Sequence, residues 1–167
     1  MPSRNAGFTL IEIVTTMIVL GLVAVAGWSI LTNIVEGTLN TRNATAAAEK
    51  VQSAFMRISL ELANADRTRS ITVDNTNKKI TYYYTSDSAQ STIQLSGTNL
   101  QLVGPTSTGT LVDKVDTATG ITLSALPATG TPFSITLTIP VLVARWDQTT
   151  VSRSYTTTID LNPNRFH

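Results

Sequence analysis

The sequence predicts an α+β protein: a long N-terminal α-helix, membrane-spanning in its first half and amphipathic in its second, packed on a mostly antiparallel β-sheet. Two observations carry that expectation. An apolar run from Phe8 to Leu31 passes into a stripe of apolar residues at helical spacing. Near residue 70 the pattern then changes to short β-rich runs separated by polar turns. For 167 residues, one domain plus an anchor is the natural organisation.

Phe8 to Leu31 is 24 residues, about 36 Å of helix at 1.5 Å per residue, enough to cross a hydrocarbon layer of roughly 30 Å. The first 35 residues hold only Arg4 and Glu12 as charged side chains. Arg4 and the initial amine precede the apolar run, which favours a cytoplasmic N-terminus. Trp28 falls near the outer end of the span, an ordinary place for an interfacial tryptophan. Ala44 to Ala48 is a strong helix-forming stretch. Beyond it Val51, Phe55, Ile58, Leu62 and Ala65 fall at i, i+4, i+7, i+11 and i+14, one face of a 3.6-residue helix. Together these predict one helix from about Phe8 to Asp66. Gly21, Gly27 and Gly37 lie within it, each at a cost on the order of 0.5–1 kcal/mol relative to Ala. They either serve close helix packing or local melting, or are simply tolerated small residues.

Ile71–Val73 and Lys79–Thr85 flank the polar turn Asp74-Asn75-Thr76-Asn77, which predicts a hairpin. Thr92–Leu95 and Leu100–Val103 flank Ser96-Gly97-Thr98-Asn99, a second one. Leu111–Val115 and Ile121–Leu126 are weaker strands. Phe133, Ile135, Leu137 and Ile139 alternate with Ser134, Thr136 and Thr138, the period of a half-buried strand. Val151–Leu161 returns after Trp146-Asp147-Gln148, where Trp146 is expected in the core or at its rim. Pro140 lies within the long run, so that strand is expected at an edge or bulged. Segments 86–91, 104–110 and 117–131, rich in Ser, Thr, Gly and Pro, read as loops.

Glu12 is the one acid within the apolar run. A charge there costs roughly 2.5–3.5 kcal/mol, so it calls for a partner. A cut after Gly7 would place a new amine on Phe8, one helical turn before Glu12, available to pair with Glu12 of the same chain or of a neighbour. The order of a short basic leader ending in Gly7, then Phe8-Thr9-Leu10-Ile11-Glu12, then the apolar run, resembles the N-terminal signal of type IV pilins and type II secretion pseudopilins. The resemblance directly covers residues 1 to about 35. It implies cleavage after Gly7 and N-methylation of Phe8 by a prepilin peptidase, with Glu12 neutralising the N-terminus of an adjacent subunit in a filament. The implied organisation is a leader peptide at 1–7, a transmembrane or filament-core helix at 8–34, an amphipathic helix continuing into the globular domain at 35–66, and a β-rich globular domain at 67–167. The implied partners are other pilin or pseudopilin subunits, the peptidase and inner-membrane lipids, with the sheet domain in the periplasm or outside the cell. Within the family, the short mature chain, the missing disulfide and the amphipathic Val51–Leu62 helix point to a minor subunit of the J or W type, at a filament tip.

Other classes receive less support. Net charge is +1, without the basic patch of a nucleic-acid binder; Arg67, Arg69, Lys78 and Lys79 read as a solvated face. Cysteine is absent, which excludes disulfides, zinc-thiolate sites and cysteine nucleophiles and departs from the C-terminal disulfide of many pilins. The only histidine is the last residue, His167, so neither a Ser-His-Asp arrangement nor a histidine metal site is expected; the chain reads as a non-enzyme without cofactor. Asp74-Asn75-Thr76-Asn77 faintly echoes a calcium loop but lacks its glycine and closing Glu. Some pseudopilins bind calcium in a C-terminal loop, yet no acidic cluster stands near 140–167. Tyr82-Tyr83-Tyr84 puts Tyr82 and Tyr84 on one face, as sheet packing rather than a base-stacking platform. The alternatives are an adhesin or binding module released by an ordinary signal peptidase after Ala24-Val25-Ala26, and a membrane-anchored enzyme.

Overall fold

A computed structural model describes residues 8–66, 68–84, 89–127 and 132–161. Arg4, Gly7 and the rest of the expected leader, Arg67, His167 and parts of the loops expected at 86–91 and 117–131 lie outside the described residues. The chain divides into two compact units, residues 1–41 and 42–167. One helix, α1 (Leu10–Ala63, 54 residues), contributes to both.

In the first unit α1 starts two residues after the expected Phe8, because Thr9 caps it. The Glu12 amide donates to the Thr9 carbonyl at 3.0 Å and meets Thr9 Oγ1 at 3.4 Å. Gly21, Gly27 and Gly37 leave the helix unbroken, and a Cβ added at any of them would meet nothing within 4 Å. Nothing described within this chain therefore demands glycine there.

In the second unit α1 buries Val51, Ala54, Ile58, Glu61 and Leu62. The predicted stripe is on the core side, with Phe55 half-buried at its margin. The helix ends before the expected Asp66 because the sheet captures the chain. Ala65 bridges Tyr84, and the Asp66 amide donates to the Tyr83 carbonyl at 2.6 Å.

Eight strands follow: β1 (Thr72–Asp74), β2 (Lys79–Tyr83), β3 (Gln90–Ser96), β4 (Asn99–Val103), β5 (Thr108–Val112), β6 (Thr122–Leu126), β7 (Ser134–Ala144) and β8 (Thr150–Asp160). All pairings are antiparallel. The strands form two sheets rather than the single one expected, a five-stranded meander β1–β5 and a three-stranded sheet β6–β7–β8. They meet at an isolated bridge between Val115 and Val141 and at a hydrogen bond from the Leu123 amide to Asn75 Oδ1. The core joins the helix stripe to Ile80, Tyr82, Ile93, Leu100, Val112, Ile135, Leu137 and Ile139.

Three local expectations are corrected. β5 starts at Thr108, inside the segment read as a loop at 104–110, and ends before Val115. A tight turn from Gly104 to Ser107 and a register shift at Leu100/Gln101 move it forward. The start of β3 occupies part of the loop expected at 86–91, whereas β6 falls on the strand expected at Ile121–Leu126. Pro140 sits in the middle strand of its sheet, with no bulge against β8. Its carbonyl accepts the Asp116 amide at 2.9 Å. Within a strand the amide and carbonyl of one residue point the same way, so the missing N–H faces the 114–116 segment, beyond the end of β6. No rung of the β7–β8 ladder is lost. Phe133 precedes the strand and is 55% exposed, while Ile135, Leu137 and Ile139 alternate inward as expected.

Candidate assembly element at the helix N-terminus

Glu12 lies in the first turn of α1, where a carboxylate complements the unpaired amides and positive dipole end of a helix. Thr9-Leu10-Ile11-Glu12 also has the spacing of a capping box, but only its threonine half forms, the Glu12 amide meeting Thr9 Oγ1 at 3.4 Å. The Glu12 side chain is exposed, and among the described residues it has no hydrogen-bond or ion-pair partner. The carboxylate stands at the head of an apolar surface. Every large apolar side chain from Phe8 to Val35 is at least 46% exposed, far more continuous apolar area than a soluble monomer tolerates. Among the described residues one helix is long and apolar enough to cross a membrane.

Threonine hydroxyls along this helix bond back to the preceding turn. Thr15 Oγ1 donates to the Ile11 carbonyl at 2.8 Å, Thr16 to Ile13 at 2.8 Å, Thr32 to Trp28 and Ser29 at 3.1 and 3.0 Å, and Thr38 to Ile34 at 2.8 Å. A hydroxyl folded back on the preceding turn offers no unmet donor to lipid or to a packed helix. Glu12, an ionised carboxylate with no proton to donate, cannot bond back to a carbonyl in this way.

Residues 2–28 match the prokaryotic N-terminal methylation motif. That motif is the signal of type IV pilins and pseudopilins, and it marks the chain as type IV pilin-like at its N-terminus, processed by prepilin peptidase and anchored in a membrane by its apolar helix. Comparison with curated proteins gives no match, and comparison with solved structures gives none.

A second cluster, which sequence reasoning missed, lies in the sheet unit. Glu61 is buried on the stripe side of α1, beside Leu62. Tyr82 OH donates to Glu61 Oε2 at 3.1 Å, and Tyr84 OH donates to the same oxygen. Arg57 Nη2 pairs with Oε1 at 2.7 Å. The two tyrosine rings meet edge to face, 5.6 Å apart. Burial, then the adjacent Tyr84 hydroxyl and the Glu61 charge, pushes the Tyr82 hydroxyl far above its ordinary range. Burial and the bond to Glu61 likewise raise Tyr84. Tyr82 and Tyr84 share a face as predicted; the acid that unites them was not visible, because Glu61 reads as a solvated position next to the stripe. The cluster fastens the helix to β2.

The remaining polar groups are engaged in turns. Asp74 Oδ1 accepts the Thr76 and Asn77 amides, each at 2.9 Å, and Oδ2 accepts Asn77 Nδ2 at 2.6 Å. These bonds hold its carboxyl below the usual range and make 74–77 the turn expected. Asp116 accepts the Thr119 hydroxyl at 2.6 Å, the Ser152 hydroxyl and the Ala118 amide, which hold it down to about 2. No group of three metal-ligating His, Cys, Asp or Glu occurs among the described residues. A cleft of about 150 Å³ lies between α1 and the strands near Asp113 and Ala144. Its polar groups already pair, Asn43 Nδ2 with the Ala144 carbonyl and Lys50 with Asp113, both at 2.9 Å. Trp146 lies at the β7–β8 turn, 50% exposed, on the rim rather than in the core.

Proposed function

We propose that the chain is a minor pilin or minor pseudopilin, a non-enzymatic subunit that assembles through its N-terminal helix into a type IV pilus or type II secretion pseudopilus. The observation that carries this reading is Glu12, exposed and without a partner among the described residues, at the head of an exposed apolar helix and within the residues that match the methylation motif. Prepilin peptidase cuts after Gly7 and methylates the Phe8 amine. In the filament that amine neutralises Glu12 of a neighbour, and the Phe8–Val35 surface is covered by the helices of other subunits. Before assembly the segment spans the inner membrane with its N-terminus in the cytoplasm and the sheet unit on the periplasmic side. A place at the tip, as for J-type or W-type subunits, accords with the absence of cysteine.

The test is the intact mass and N-terminal sequence of the protein from its native membrane. The expected product begins at N-methylated Phe8. A chain beginning at Gly27 would instead identify a module released by signal peptidase, and the assembly role of Glu12 would fall.

A further inference from the structure

The β7–β8 hairpin carries its tip toward the anchored end of α1. Lys50 pairs with Asp113 at 2.9 Å, and the carbonyl of the next residue, Lys114, accepts the Leu142 amide at 2.9 Å. Two residues further along β7, the Ala144 carbonyl accepts Asn43 Nδ2 at 2.9 Å. β7 therefore travels toward lower residue numbers on α1, the direction of the apolar segment, and α1 is continuous through this region. Beyond Ala144 the hairpin stays closed. Arg145 donates its amide to the Thr149 carbonyl at 2.8 Å, and Gln148 donates to the Arg145 carbonyl at 3.1 Å. Asp147 Oδ1 accepts the Thr149 amide at 3.0 Å and its hydroxyl at 2.6 Å. The tip is thus a bonded turn. Every residue from Ala144 to Thr149 is exposed, and half of the Trp146 surface is open to solvent.

We infer that this tip seats on the lipid headgroups, with Trp146 in the interfacial layer and Arg145 and Arg42 against lipid phosphates. Asn43 stands twelve residues beyond Leu31, at most about 18 Å of helix. Trp146 lies two residues past the end of β7, about 7 Å closer to the membrane than Ala144. The remaining distance is about 11 Å. It is bridged by the indole, by a headgroup layer of roughly 5–7 Å on each side of the hydrocarbon, and by ordinary helix tilt. Tryptophan favours that layer because its ring is apolar and its N–H is polar. Helical side chains lean toward the helix N-terminus, so the exposed Arg42 leans toward the same layer. Asp147, the one acid of the tip, is engaged by Thr149, which leaves Arg145 to meet an anionic surface. With two attachments, the span and the tip, the sheet unit is not free to rotate about the helix axis. The inference rests on anchoring by α1 and not on the filament reading.

The chain has two tryptophans, Trp28 and Trp146, so each can be observed alone. The full-length protein is reconstituted in vesicles of phosphatidylethanolamine and phosphatidylglycerol. In Trp28→Phe, the remaining Trp146 is expected to lose about half of its emission to a lipid with a nitroxide on its headgroup, and little to one with a nitroxide near the middle of an acyl chain. In Trp146→Phe, Trp28 should be quenched by either lipid, which reports insertion of the span. Added to Trp28→Phe, Arg145→Ala should weaken the headgroup quenching and Arg145→Glu should weaken it further. Trp146 left unquenched in vesicles where Trp28 is quenched would overturn the proposal. So would headgroup quenching that is equal with Arg, Ala and Glu at residue 145, or shielding of Trp146 only when a second, pilin-like protein is present. If Trp28 is unquenched as well, anchoring itself falls and the tip contact falls with it.

Discussion

Glu12 and Glu61 are both carboxylates on α1, and their surroundings give them opposite work. Glu12 has no described partner, so replacing it should leave the fold of its own chain unchanged. We expect Glu12→Val to insert into the membrane as the parent does and to lose incorporation into filaments, read by fractionating sheared filaments from membranes. Equal incorporation would remove the amine–carboxylate pairing. Glu61 holds two tyrosine hydroxyls. Its contact with Arg57 contributes little, because the Arg57 side chain is 60% exposed. Glu61→Ala strands the fully buried Tyr82 hydroxyl and should cost about 1–3 kcal/mol in denaturant unfolding. The same cluster sets an alkaline limit. Both tyrosines have raised pKa values, so their stabilising effect is complete below pH 10, the ordinary tyrosine value. It declines as pH rises above 10, because unfolding then releases their protons. Tyr82→Phe should flatten stability against pH in that alkaline window.

Along α1 one periodic rule holds in two surroundings. The stripe at Val51, Ile58 and Leu62 meets the sheets and is fully buried, whereas Ile18 is 60% exposed. Ile58→Ala should destabilise the sheet unit by about 2–5 kcal/mol, and Ile18→Ala should leave its unfolding transition unmoved. The position of these elements was legible because helix and strand impose periods of 3.6 and 2 on apolar residues. The processing signal was legible because Gly7, Phe8 and Glu12 form a local pattern. Glu61 was not, since its tyrosine partners lie more than twenty residues away and a polar residue flanking a stripe looks solvated. Nor was the central place of Pro140, which depends on which side of β7 loses its neighbour. β5 was misplaced because its Thr-Gly-Thr start carries loop composition, while its pairing with β4 decides the outcome.

For the protein entire, acid sensitivity should come from turns rather than from the core. Asp66, Asp74, Asp113, Asp116 and Asp147 all have lowered carboxyl pKa values, three of them through local hydrogen bonds, Asp116 through Thr119 and then Ser152 of β8, and Asp113 chiefly through Lys50. A carboxylate with a depressed folded-state pKa stabilises fully above its unfolded value, here 3.8. That contribution disappears as pH falls from there through the folded value, about 2 for Asp116. Thermal unfolding should therefore weaken steadily across this window, and Asp116→Asn should weaken the dependence while lowering stability at neutral pH. Anchoring and sheet stability are thereby separate properties of one chain. Apolar exposure governs the first, whereas hydrogen-bonded turns and a compact core govern the second.

Every strand in both sheets pairs only with strands adjacent in sequence. Forming them requires closing only short stretches of chain, and short closures are the fast ones. The five-stranded meander contains its full hydrogen-bonding plan by Val112, before any residue of β6 is needed. A chain threaded across a membrane from its N-terminal end could complete that sheet while its last third was still arriving. The β7–β8 hairpin would then be the final piece to dock, through Val141 onto Val115.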